Sequence, residues 1–379
     1  MKVALLSKTF LPNVGGIETS SAMIAATWQA AGHDVEVVTA VPDPAARSMP
    51  YPVTRSWTLP SLRRAVAGAD VAVTNGYSRV AVMAAALARR QLIVFHQGYQ
   101  LICSDGLGFR NRQFHGFRTI EDLRLAFAAG GRVGAHAVAR LPFDAAVRAW
   151  PVGIRHIVPS HHVGRRLGLA HYDVIYQPPN PAVVDALAAM SPPTADERAA
   201  AYATGDILCF ARLVFEKACD DLVRAYARLR EGPARGPGRP VPRLIIHGDG
   251  PERAGLAELV HSLGLERDVD LAPFVGGAEL ARLARRASVV IVPSRWEEPG
   301  ATVAVELFAC GAAVIASQTG AQGEIFDGHG RLFPNGDVDG LAGALAQHFG
   351  AGPIYPRPLG SEPWTVPAIQ RALFGLLER

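Results

Sequence analysis

Short apolar runs of strand length alternate with helix-permissive stretches along nearly all of this 379-residue chain. That alternation predicts parallel sheets with helices on both faces, the pattern of repeated strand–helix–strand units. In the first half, Val3–Ser7, Val35–Ala40, Val71–Asn75, Leu92–His96, His156–Ser160 and Asp173–Asn180 read as strands. A helix from about Thr19 to Ala31 is ended by Gly32. Residues 97–150 are long and irregular, with helical patterning toward Ala149. In the second half the strands are Ile207–Leu213, the run from Arg243, Val269–Val275, Ala287–Val292 and Ala312–Ser317. CDDLVRAYARLR and PERAGLAELVHSLGL are the helices between them. The rhythm breaks between Pro178 and Gly205, where YQPPNP and SPPTADERAA gather turn residues. The expected fold class is α/β, with two doubly wound, Rossmann-like domains facing across a cleft. Their expected bounds are residues 1–180 and 181–360, followed by a last helical segment, 361–379. The Pro/Gly-rich stretch Gly232–Pro242 reads as a surface linker.

A 49% hydrophobic content with 19% charged residues excludes disorder as the class. The net charge of +4 suits an anionic substrate or an anionic membrane surface. It does not point to nucleic acid, for no basic pattern interleaved with aromatics accompanies it. Cys103, Cys209, Cys219 and Cys310 show neither C-x-x-C nor zinc-ligand spacing, so they read as free thiols of a reducing cytoplasm. No run of about 18 apolar residues exists to span a bilayer. The first apolar stretch is too short for a signal peptide and reads as a strand. The expected location is cytoplasmic, with peripheral contact at the inner face of the membrane left open, as is the oligomeric state.

The densest chemistry lies in PSRWEEPGATVAVELFACG, Pro293 to Gly311. An apolar strand ends at Pro293-Ser294, a short loop carries Glu297 and Glu298, and Pro299 stands where a helix can begin. Gly311 fits the position that ends that helix. Glu298 therefore falls at a strand's C-terminal end and Glu306 on the following helix, the edge where open α/β sheets bind ligands. A helix N-terminus there offers free N–H groups to an anion. Taken alone, the two glutamates also read as caps and dipole partners.

Two glutamates eight apart, with Pro after the first and A-C-G after the second, resemble the signature of family-4 retaining glycosyltransferases of the GT-B fold. The resemblance implies that the segment binds a nucleotide-sugar, Glu298 touching the donor sugar and Glu306 accepting from the ribose hydroxyls. It also implies that the last helix crosses back onto the first domain. One departure stands out: the family's usual Pro-Phe-Gly is here Pro299-Gly300-Ala301.

Arg212 and Lys217 lie five apart in the loop after the Ile207 strand. A bidentate fork and a point charge suit a diphosphate, each contact at ~4 Å being worth up to ~4 kcal/mol before desolvation. This R-L-V-x-E-K run resembles the family's diphosphate clamp; its alternative is a solvated basic turn. In HGDGPE, Gly248 and Gly250 permit close backbone approach to a base or ribose. In GAQGEIF, a loop by resemblance, Glu324 falls near the donor phosphate. PNVGGIET sets Gly15 and Gly16 at the first helix's N-terminus, without the G-x-G-x-x-G dinucleotide fingerprint. There Glu18 reads equally as a cap or as an acceptor ligand.

The resemblance places His96 beside the sugar donor. Asn75 and Tyr77 follow another strand and line the acceptor side, while Ser160 and Asn180 read as structural. Arg110, Arg112, Arg118, Arg124 and Arg132 outnumber Asp105, Glu121 and Asp122 between Gln97 and Arg132. That excess reads as an acceptor loop for a phospholipid headgroup, a lipid-linked sugar or an anionic glycan, or as a solvated helical face. Cys103 with His115 makes no convincing metal site.

The reading is a metal-independent, cofactor-free glycosyltransferase moving a sugar with retention from a nucleoside diphosphate sugar to a carbohydrate, lipid-linked or small-molecule hydroxyl. His96, Arg212, Lys217 and Glu298 are its expected catalytic residues. Gly15, Gly16, Gly248, Gly250, Pro299, Gly300, Ala301, Thr302, Glu306 and Glu324 are expected on the donor. Glu18, Asn75, Tyr77, Arg110 and Arg112 are expected on the acceptor. A GT-B nucleotide-sugar epimerase and a non-catalytic nucleotide-sugar-binding protein are the alternatives; the base, the sugar and the linkage stay open.

Overall fold

A computed structural model of the chain describes residues 1–13, 15–45, 47–110, 112–114, 116–149, 153–232, 241–356 and 363–377. His115, most of the Pro/Gly-rich linker and Glu362 fall outside them. The chain divides into two compact units, Met1–Gln177 with Pro367–Arg379, and Pro178–Val366.

The first unit holds β1 (Lys2–Leu6), β2 (Asp34–Val38), β3 (Val53–Thr54), β4 (Val71–Asn75) and β5 (Leu92–Phe95). A small hairpin follows, β6 (Phe109–Arg110) and β7 (Gln113–Phe114), then β8 (Ile154–Val158) and β9 (Asp173–Val174). Its seven-stranded sheet runs β3-β2-β1-β4-β5-β8-β9. β1 lies parallel to both neighbours, with Val3 opposite Val35 and Val71. The strand order reverses between β1 and β4. Leu5, Leu6, Leu62, Leu92 and Ile157 are wholly buried there, each contributing about 1.5–3 kcal/mol of apolar burial. The last helix, Val366–Gly375, is tied to the first, Gly16–Ala30: the buried Trp28 indole N–H donates to the Leu373 carbonyl at 3.0 Å.

The second unit holds β10 (Ile207–Phe210), β11 (Leu244–His247), β12 (Val269–Ala272), β13 (Val289–Val292), β14 (Val314–Ser317) and β15 (Arg331–Phe333). The sheet order is β12-β11-β10-β13-β14-β15, again parallel, with Ile207 opposite Leu244 and Val289. Here the reversal falls between β10 and β13. Both strands are buried at every residue, ILCF and VVIV, as sheets covered on two faces require.

Several local expectations change. Asp173–Asn180 keeps only two strand residues, because Pro178 and Pro179 cannot donate to a ladder. Short β3 and β15 lay below the periodicity signal, and residues 97–150 contain three helices: Thr119–Ala128, Gly131–Ala139 and Leu141–Ala149. The helix expected to open at Pro299 starts at Thr302, since Ala301 is left-handed at φ 37° and turns the chain first. It ends as read, with Gly311 at φ 69°. The expected loop at Gly320–Phe326 is instead a short helix, Ala321–Phe326. Ser160 and Asn180 are N-caps, each side chain accepting a backbone N–H.

No helix among the described residues is long and apolar enough to cross a membrane.

Candidate functional site

The reversal between β10 and β13 sets two loops side by side at the sheet's C-terminal edge, where an open α/β sheet leaves a crevice. From the β10 loop, a single 3-10 turn, Phe215–Lys217, delivers Lys217. From the β13 loop comes Glu298. Lys217 Nζ pairs with Glu298 Oε1, and Ser294 Oγ donates to the same oxygen at 2.5 Å. Glu298 is held by its backbone too: its carbonyl accepts from the Ala321 N–H at 2.8 Å, and it bridges to Gly320. A Cβ on Gly320 would lie 2.5 Å from the Glu298 nitrogen, so only glycine lets the two segments meet. Arg212, expected beside Lys217, points elsewhere: its side chain is 69% exposed and its nearest carboxylate is Glu216 at 4.0 Å.

Glu306 is buried on the helix Thr302–Cys310, accepting from the Asn180 N–H at 3.0 Å. Burial raises its pKa above the ordinary glutamate value, against the opposing pull of that hydrogen bond. This helix has no side-chain cap and no acidic residue in its first turn, so its N-terminal partial charge is not answered from within. Pro299, Gly300 and Ala301 are buried beneath that end and Thr302 is half-buried, which leaves backbone rather than side chain to offer a ligand.

Gly248 and Gly250 sit at the end of β11, but the close approach they permit is to the chain itself. A Cβ would come within 1.8 Å of the Ala211 carbonyl at one and 2.4 Å of Leu213 O at the other. Glu324 is half-buried in the first turn of Ala321–Phe326. Two neighbours escaped the sequence reading although they lie inside quoted motifs. Arg295 binds Asp220 and Asp221 at 2.8 Å, covers the Phe215 ring at 4.3 Å and donates its N–H to the Glu216 carbonyl, bracing the Lys217 turn. Gln322 is buried, its amide donating to Ser317 Oγ at 2.8 Å while its Oε1 has no partner among the described residues.

In the first unit the expected residues are brought together, but inward. His96 is wholly enclosed between β5 and β8: its N–H continues the ladder to Ile157, and its Nε2 lies 2.9 Å from His156 Nδ1. Burial, then the neighbouring His156, pushes its pKa down to about 3. The ring stacks on Tyr77 at 6.1 Å, so the expected direct contact with a sugar gives way to a positioning place. Asn75 is also buried and fully engaged. Its amide donates to Ser20, Ser21 and the Ile17 carbonyl, and its oxygen accepts from Gln97.

The Tyr77 hydroxyl donates to Asp144 at 2.6 Å; burial and that carboxylate raise its pKa. Asp144 also takes Arg79 and Arg140, and Arg140 bridges to Asp122 at 2.8 Å. Arg110 is spent on this network, donating to Ser104 at 2.6 Å beside Asp105 and Asp122. Asn75, Tyr77 and Arg110 are therefore internal braces rather than exposed acceptor ligands. Arg112 is exposed, with φ 62°. At the first helix's N-terminus the Glu18 carboxylate folds back over Gly15, within 2.5 Å of where a Cβ would stand, while Gly16 is open. That sets a carboxylate where an anion was expected, and no side-chain hydrogen bond caps this helix end. His156, Arg140 and Asp144 were not singled out; His156 stood at a recognised strand, and nothing in the spacing marks the other two.

Among the described residues no group of three or more His, Cys, Asp or Glu is placed to hold a metal ion.

Two parallel-sheet units of this order define a protein of the GT-B glycosyltransferase fold. The chain superposes over its whole length on sucrose-phosphate synthase from Thermosynechococcus elongatus, at TM-score 0.66 and 20% identity, covering 98% of that chain. It matches Anabaena Alr3699/HepE in complex with UDP at TM-score 0.65 and 17% identity, covering all of both chains. Residues 199–349 match the family model described as "Glycosyl transferases group 1". A D-inositol 3-phosphate glycosyltransferase of Kineococcus radiotolerans is 44% identical over 126 residues, 31% of this chain and 28% of that protein. An uncharacterized glycosyltransferase of Methanocaldococcus jannaschii is 35% identical over 119 residues, again 31% and 28%. The chain thus spans less than a third of these relatives' length in either alignment.

Proposed function

We propose that the protein is a retaining glycosyltransferase that transfers a sugar from a nucleoside diphosphate sugar to an acceptor hydroxyl. The observation that carries the reading is the Lys217–Glu298 pair at the strand-order reversal of the second unit, with Glu306 one helix beyond it. Lys217 and the uncapped N-terminus of Thr302–Cys310 answer the charge that grows on the leaving diphosphate, an electrostatic contribution made where charge develops. Glu298 orients the sugar and Glu306 accepts from the ribose. The bond from the anomeric carbon to the diphosphate breaks, the acceptor oxygen joins the same face, and its proton passes to the leaving diphosphate. With the positive charge supplied by protein groups, the reaction runs without a divalent metal. The first unit takes the acceptor, a carbohydrate, lipid-linked or small-molecule alcohol. The UDP and UDP-glucose held by the Anabaena neighbour support a nucleotide-sugar donor and make uridine the first base to test.

The test is a thermal-shift screen of UDP-, GDP-, ADP- and dTDP-sugars in the presence of a chelator. A true donor at 100 times its dissociation constant stabilises the protein by ~2.7 kcal/mol. It should also be turned over to the free diphosphate only when an acceptor is added. Turnover without acceptor points to an epimerase, and stabilisation by none of the four overturns the reading.

A further inference from the structure

The helices Thr119–Ala128 and Gly131–Ala139 of the first unit carry large apolar side chains on their outside. On the first helix Asp122, Leu125 and Ala126 form the buried side. Ile120, Arg124 and Phe127, spaced i, i+4, i+7, form a stripe on the opposite side, Ile120 82% and Phe127 51% exposed. On the second helix Gly134 and Ala137 face inward, and Val133 and Val138 flank them, also exposed. Four of the eleven large apolar residues exposed among the described residues thus fall within this one hairpin. Such a concentration is a contact surface more often than a solvated one.

The charge around it says what covers it. Arg118, Arg124, Arg132 and Arg148 are exposed on these helices and the one that follows. The acidic residues do not balance them. Asp122 and Asp144 are buried and bound to Arg140, Arg79 and Ser104, leaving Glu121, paired with Arg124 at 3.0 Å. Exposed aliphatic and aromatic side chains among arginines, with little exposed acid, match a bilayer bearing anionic headgroups. The apolar groups reach the acyl boundary and the guanidinium groups meet phosphate.

We propose that this helical hairpin is the surface by which the protein docks on an anionic lipid bilayer. The proposal goes beyond the transferase reading and stands or falls apart from it, since its readout needs no donor. The full chain is sedimented with vesicles of phosphatidylcholine alone and of phosphatidylcholine mixed equally with phosphatidylglycerol. Binding is expected to the mixed vesicles only, and to weaken as salt is raised. Ile120→Glu, and separately Arg118→Glu with Arg124→Glu, should each lower the partition about tenfold or more. Both variants should keep the unfolding midpoint and any stabilisation by nucleotide, because these side chains point to solvent. No binding to the mixed vesicles overturns the proposal, and so does binding that the variants leave unchanged. A concentration-dependent dimer broken by Ile120→Glu would show that the face covers a second copy of the chain instead.

Discussion

Lys217 and Glu298 lie 81 residues apart in the chain and close on each other as an ion pair, because the strands that deliver them, β10 and β13, are neighbours in the sheet. Lys217 is 18% exposed and Glu298 8%, so the pair is largely shielded from water and neither charge is cheaply left alone. Lys217→Ala should chiefly lower kcat, by ~100-fold or more. Glu298→Ala should affect both kcat and the donor KM. In the double variant the two losses should fail to add, by about 0.5–3 kcal/mol. Strict additivity in a double-mutant cycle of kcat/KM would show that the two residues act independently, and a near-normal kcat for Lys217→Ala at saturating donor would leave the turn without a catalytic role.

If Glu306 holds the ribose as proposed, nucleotide affinity should depend on pH in one direction. Burial favours its neutral form, so it ionises at a higher pH than an ordinary glutamate. A carboxylate can accept from two ribose hydroxyls, whereas the protonated group has one oxygen committed as a donor. Affinity should therefore fall as pH drops through that raised value. Glu306→Gln should bind about 10- to 100-fold more weakly at neutral pH, on the scale of about 1.5–3 kcal/mol for hydrogen bonds to a charged group, and should lose the pH dependence. Calorimetric titrations showing parallel pH profiles for both proteins would contradict this.

Ala301 occupies a conformation that glycine adopts freely, with φ 37°. An L-residue there costs about 1–2 kcal/mol, part of which glycine gives back through its greater freedom when unfolded. Ala301→Gly should stabilise the second unit by about 0.5–1 kcal/mol, a rise in Tm of about 1–4 °C. A fall in Tm would mean that the methyl group contributes packing worth more than the strain.

Asp144 holds Arg79, Arg140 and the Tyr77 hydroxyl at once. Asp144→Ala leaves the buried Arg140 with Asp122 alone and the Tyr77 hydroxyl without its acceptor, and should destabilise the first unit by about 1–3 kcal/mol. Arg79→Ala should cost clearly less, since the Arg79 side chain is 28% exposed and Arg140 still balances the carboxylate. Denaturant unfolding checks the order, and equal losses would show that Arg79 is as essential as the carboxylate.

His96 should make the first unit acid-sensitive. Its folded pKa is pushed from 6.5 to about 3, and its partner His156 is lowered too. Between those values the unfolded chain takes up protons that the native pair refuses, so stability falls as pH drops from about 6.5 toward 3. His96→Gln should flatten that slope in unfolding experiments run across this window. An unchanged slope would assign the acid loss to other groups.

Much of the fold was legible because its signals are local. Apolar runs of strand length, a glycine such as Gly311 at a helix end and prolines at Pro178 and Pro179 act within a few residues of themselves, so their effect is written in order along the chain. The same holds for the motif that placed Glu298 at a strand end and Glu306 on the next helix. Which side chains meet was not legible, for it depends on which strands become neighbours and which way a loop turns. Lys217 faces Glu298, while Arg212, five residues earlier, is turned to solvent. Asn75, Tyr77 and Arg110 look like ligands in a line of residues, yet the helices of residues 119–149 enclose Asp122 and Asp144, and buried carboxylates draw the nearest donors inward. His96 is hidden for a similar reason: its strand lies between two others, and His156 from one of them meets its ring. Local chemistry determined the elements and the sheet edge to which the glutamate motif falls; the desolvation of charge, which only tertiary packing sets, decided which of the polar residues stay open to solvent.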